Sequence, residues 1–167
     1  MKEKDAYAAG LFEGEGCVRI NHRIRKSNPK SKTVYHEYSE FVTISQRDGR
    51  MIDWLTENYG GNCYLISRKN HDRFSSEPIY TWTITNSKAR AFLDRIVPYL
   101  IYKRDQVQAA LRLRINDRRI RQSPNELIFR EEVMAEVKRL KKVFIPSTMS
   151  KVAGSETKRI ERPNKRM

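Results

Sequence analysis

The run Ala8-Ala9-Gly10-Leu11-Phe12-Glu13-Gly14-Glu15-Gly16 sets two carboxylates among glycines, in a chain with 34 Lys and Arg against 20 Asp and Glu. Gly10 and Gly14 stand four apart, with Ala6 one turn earlier, so one edge of a helix here has almost no side-chain bulk and lets another backbone come close. If two copies met on that edge about a two-fold axis, Glu15 and its mate would lie side by side. Carboxylates so placed repel unless a cation lies between them, and a hard divalent ion with oxygen ligands is the natural occupant. Such an ion lowers the pKa of a bound water and stabilises a leaving oxygen, which is what phosphodiester hydrolysis requires. The bland alternative is a solvated helix end in a glycine-rich turn.

The surrounding elements read as follows. Ala6 to Gly14 predicts a short helix stopped by Gly14 and Gly16. In Cys17 to Arg25, Val18, Ile20 and Ile24 alternate with Arg19, Asn21, Arg23 and Arg25, the pattern of a half-buried strand with a basic face. After a polar loop, Val34 to Ser45 resumes as a strand and completes a long hairpin. Asp48 to Tyr59 is a helix stopped by Gly60-Gly61. Strands over Asn62 to Lys69 and Ile79 to Asn86 come next, the second alternating Tyr80, Trp82 and Ile84 with threonines. Helices are expected over Ser87 to Leu100, interrupted by Pro98, over Lys103 to Asp117 and over Asn125 to Val143. The order is α+β with a mostly antiparallel sheet. Each strand should offer one apolar face to helices and one face of Arg, Asn, Ser or Thr to solvent or to DNA.

The 167 residues, 38% of them hydrophobic, suit one core, with one domain over 1–145 and a basic, flexible tail over 146–167. A net charge of +14 and a pI near 10 point to a polyanionic partner. Cys17 and Cys63 have no zinc-type spacing, and His22, His36 and His71 form no ligand pair at helical spacing. The absence of a long apolar run and a charged start predict neither a membrane span nor secretion, and so an intracellular protein acting at DNA.

The nonapeptide Ala8 to Gly16 resembles the LAGLIDADG motif, with Glu13 and Glu15 standing where the family usually has aspartates. The resemblance extends through the element order over roughly Lys4 to Val143. It implies the αββαββα fold of LAGLIDADG homing endonucleases with added C-terminal helices. It further implies an intron-encoded or similarly mobile enzyme that makes a staggered break in a long, near-palindromic duplex. Only one motif copy is present, which in that family means a homodimer closed through Ala6, Gly10 and Gly14. Glu15 takes the place of the family's metal-binding carboxylate, with the Gly14 carbonyl beside it, for Mg2+ or alternatively Mn2+ or another divalent ion. Glu13 takes a place that supports the helix end. Gln46 and Arg50 match the water-ordering glutamine and the arginine near the scissile phosphate, and Lys103, five residues after Pro98, matches a lysine at the cleavage region.

Arg19, Asn21, Arg23 and Arg25 share one strand face and are the side-chain types that pair with guanine and adenine edges. Ser39, Thr43, Arg68, Thr81 and Thr83 are further candidates for DNA contact, with the register of the third strand left open among Tyr64, Ser67 and Arg68. Two other readings compete. A non-cleaving regulator or an intron RNA-splicing cofactor of the same fold has no need of a carboxylate pair facing a polyanion. A basic RNA-binding scaffold would carry aromatic stacking residues on the sheet face, whereas Tyr80 and Trp82 are expected on the apolar side.

Overall fold

The computed structural model describes residues 2–26, 28, 30, 34–66, 78–113 and 123–142. Helix α1 spans Lys2–Glu15, starting four residues before the small-residue run, because Glu3 and Asp5 suit the positive end of a helix. It turns directly into strand β1 (Gly16–Lys26). A Cβ at Gly16 would stand 2.6 Å from the Phe12 carbonyl oxygen, so only glycine allows so abrupt a change from helix to strand. Strand β2 (Val34–Gln46) pairs antiparallel with β1 from Gly16 opposite Ile44 to Lys26 opposite Val34.

Asp48 caps helix α2 (Gly49–Tyr59) through the Arg50 backbone N–H, and Gly60, with φ +67°, ends it. Strands β3 (Asn62–Ile66) and β4 (Ile79–Thr85) complete an antiparallel sheet in the order β1-β2-β4-β3. Helix α3 spans Asn86–Ile96, and Val97–Tyr99 tightens into a 3-10 turn carrying Pro98. Pro98 therefore ends the helix predicted to reach Leu100, since proline has no N–H to give an intrahelical bond. Helix α4 (Arg104–Leu111) follows Lys103, and α5 (Pro124–Leu140) is capped by the Ser123 hydroxyl on the Glu126 N–H.

The core lies between one sheet face and the helices. Val18, Ile20, Val42, Ile44, Trp82 and Ile84 are buried on that face beneath Phe12, Phe92, Leu93, Val107 and Val133. The predicted alternation holds on β1, β2 and β4 but not on β3, where Cys63 and Leu65 are exposed like their neighbours. β3 is an edge strand of the sheet, and all five of its residues are exposed among the described residues. The parts of the third strand beyond Ile66, of the fourth helix beyond Leu113 and of the basic tail lie outside the described residues. Among the described residues no helix is long and apolar enough to cross a membrane.

Candidate active site and nucleic-acid interface

The end of α1 and the start of α4 clasp each other. The Glu13 carboxylate accepts hydrogen bonds from the backbone N–H groups of Ile101, Tyr102 and Lys103, each at 3.0 Å. In return the Lys103 ammonium donates to the carbonyl oxygens of Phe12 (2.9 Å) and Gly16 (2.7 Å) and sits 5.5 Å from the Phe12 ring centroid. A cation at these carbonyls complements the negative end of α1. Burial lowers the proton affinity of Lys103; Glu13, Cys17 and Glu15 oppose that effect, and Lys141 adds to it.

Two oxygen-bearing groups remain for other work. Glu15 is exposed and, among the described residues, takes part in none of these bonds. Gly14 is exposed too, and its carbonyl belongs to the last turn, where C=O groups have no intrahelical donor. A carboxylate and a carbonyl are the hard oxygen donors that suit a Mg2+-like ion. Among the described residues no group of three or more His, Cys, Asp or Glu is placed to hold a metal ion. Gln46 ends β2 two residues beyond Ile44, the partner of Gly16, which puts it at the same end of the sheet as Glu15.

Away from that end, the polar sheet face is continuous. Across it Cys17 stands opposite Thr43, Arg19 opposite Phe41, Asn21 opposite Ser39, Arg23 opposite Glu37, and Thr43 in turn opposite Thr83. Ser45 and Thr81 share a hydroxyl hydrogen bond of 2.9 Å. No protein-family model matches the chain, and no curated protein matches it in sequence. Solved structures do match. The homing endonuclease I-CvuI in complex with its target has a TM-score of 0.64 at 16% identity, covering 90% of each chain. An archaeal intron-encoded homing endonuclease, I-Vdi141I, complexed with DNA, has a TM-score of 0.63 at 16% identity, covering 90% of this chain and 92% of its own. The homing endonuclease I-TnaI has 0.53 at 20% identity, covering 83% and 93%. This chain has the LAGLIDADG homing endonuclease fold.

On that fold the predicted residues separate into three groups. Glu13, Gly14, Glu15, Gln46 and Lys103 gather at one end of the sheet. Arg50, in the first turn of α2, is 90% exposed and forks onto Asp48 at 2.5 Å and 3.0 Å, holding that carboxyl down near pKa 2. Arg19, Asn21, Arg23, Arg25, Ser39, Thr43, Thr81 and Thr83 share the polar face, while Arg68 lies outside the described residues. Tyr64 pairs with Thr81 and belongs to that face as well.

The face is less uniformly basic than its alternation suggests. Arg25 is paired with Glu37 at 2.6 Å, and the Arg19 guanidinium lies 5.1 Å from the Phe41 ring centroid. Ala6, Gly10 and Gly14 form an exposed edge of α1, and a Cβ built at Gly10 or Gly14 meets nothing within 4 Å. Sequence reasoning weighed Cys17 only as a zinc ligand and passed over Lys141, yet their side chains meet at 3.2 Å beside Lys103. Nothing in the spacing of residues 17 and 141 could have brought them together. It also passed over Glu40, which is wholly buried beneath the sheet.

Proposed function

We propose that the chain is a site-specific DNA endonuclease acting as a homodimer on long, near-palindromic duplexes. The observation that carries this reading is the division of labour between two neighbouring carboxylates. Glu13 is fully engaged by three backbone N–H groups, whereas Glu15, two residues on, is exposed beside Lys103 at the foot of a polar sheet. A free carboxylate costs binding to a polyanion, so its retention in a chain of net charge +14 is accounted for by catalysis.

In this reading Glu15 and the Gly14 carbonyl of each chain would hold a divalent ion, Mg2+ or another of that class. The ion, when bound, supplies an activated water and charge stabilisation at the leaving 3′ oxygen. Lys103 stabilises phosphate charge from a fixed seat on the Phe12 and Gly16 carbonyls. Gln46 orders water at the end of β2, and Arg50 must leave Asp48 to reach a phosphate. Arg19, Asn21 and Arg23 read base edges, with Ser39, Thr43, Thr81 and Thr83 adding contacts across the sheet. The bare edge at Ala6, Gly10 and Gly14 is where the second copy would pack, bringing the two Glu15 side chains together. A staggered break and an origin in a mobile intron belong to the same reading.

The deciding experiment is digestion of a randomised duplex library with Mg2+ or with EDTA, by the native chain and by Glu15→Gln. Cutting at one long site by the native chain with Mg2+ alone, and loss of cutting by at least ~100-fold in the variant, is expected. Tight specific binding without cutting would instead indicate a regulator or splicing cofactor.

A further inference from the structure

Between the start of β1, the turn before α4 and the end of α5 lies a cavity of about 290 Å³. Gly16 and Cys17 line it from β1, Tyr102, Lys103 and Asp105 from around the start of α4, and Lys141 from just past α5. Lys141 follows a helix that packs under the sheet through Val133 and Val137. Yet its ammonium stands 3.2 Å from the sulfur of Cys17, whose side chain points to the polar face with Arg19 and Asn21. β1 is the sheet's outer strand, which is what leaves its flank open to Lys141.

A thiol is a weak acceptor for an ammonium, and among the described residues no carboxylate forms an ion pair with Lys141. Asp105, the acid in the cavity wall, sits in the first turn of α4, where its charge answers the helix dipole. Lys103 spends two of its three N–H groups on the Phe12 and Gly16 carbonyls. Two ammonium groups therefore line one cavity with donors to spare, next to Glu15 in the chain. Such a pair suits a singly charged tetrahedral oxyanion with two free oxygens, which is a phosphodiester of the DNA backbone.

We propose that Lys141 is a second phosphate-binding cation of the cleavage site, and that the cavity seats a backbone phosphate beside the one cut. This rests on the duplex-cutting reading above. It makes α5, an element remote in sequence from the motif, part of the substrate-binding surface.

The test uses the full-length native chain, Lys141→Met and Lys141→Arg on the duplex recovered from the library. Binding is followed in EDTA across a salt series, cleavage in Mg2+, and folding by thermal midpoint. The slope of log affinity against log salt should fall in magnitude by about one for Lys141→Met, and kcat/KM by roughly tenfold, with Lys141→Arg close to native in both. A folded Lys141→Met with native slope and native cleavage overturns the proposal while leaving the endonuclease intact. If the native chain binds one duplex but never cuts it, the endonuclease reading fails, and the salt slope alone decides Lys141. A native chain that binds no duplex overturns both.

Discussion

Glu15 and Glu40 show how differently two carboxylates of one chain can be used. Glu15 is exposed at a helix end, whereas Glu40 has no exposure and faces Arg90 at 3.5 Å without a well-formed hydrogen bond to either oxygen. Burial, only partly offset by Arg90 and reinforced by Asp94, pushes the Glu40 carboxyl from 4.5 up to about 7. Since its folded value is raised, the protonated form favours the fold. That stability is full below about pH 4.5 and is lost as pH rises to about 7, with a loss on the order of 3 kcal/mol. Glu40→Gln should therefore raise the urea midpoint at pH 8 and change it little at pH 4.5. A native-minus-variant difference independent of pH would contradict this. Glu40 was not legible, because a glutamate inside an alternating strand reads as surface until the register is known. The placement of Glu15, Gln46 and Lys103 at element ends was legible since each is tied to a local signal: a glycine run, a strand end and a proline. The pairing of Arg50 with Asp48 was not legible, because Asp48 reads as a helix cap and its hold on the arginine appears only in three dimensions.

Among the elements, α1 carries the most instruction, and its glycines divide by what surrounds them. Gly10 and Gly14 open onto empty space, while Gly16 is jammed against Phe12. Gly16→Ala should cost about 1–3 kcal/mol of stability, read by denaturant unfolding, because either Phe12 or the helix end must move. Gly10→Leu has room within one chain, so it should leave the far-UV spectrum intact and, if two copies pack on this edge as proposed, shift sedimentation velocity from dimer towards monomer. An unchanged dimer would place the interface elsewhere. Element order, the hairpin and the helix caps were readable from periodicity and from Asp48, Gly60 and Ser123. The exposure of β3 was not, since Cys63 and Leu65 look like half of a buried alternation until the strand is seen at the sheet edge. Packing of Lys141 against Cys17 was equally unreadable, for contacts between elements so distant in sequence follow from tertiary geometry alone.

As a whole, the molecule presents one polar sheet face on a strongly cationic chain. Binding to duplex DNA should be steeply salt-dependent: six or more neutralised phosphates predict an affinity loss on the order of 10³ between about 50 and about 200 mM salt. A flat titration would show that the net charge serves something other than phosphate contacts. The same shape is held by I-CvuI and I-Vdi141I at 16% identity, and the Glu13 clasp suggests how such divergence is tolerated. Glu13 grips Ile101, Tyr102 and Lys103 by their peptide N–H groups, which every residue but proline possesses. Side chains 101 and 102 can therefore drift through many generations of substitution without unseating Lys103. The seat of Lys103 is kept by the main chain, and the side chains around it are left free to vary.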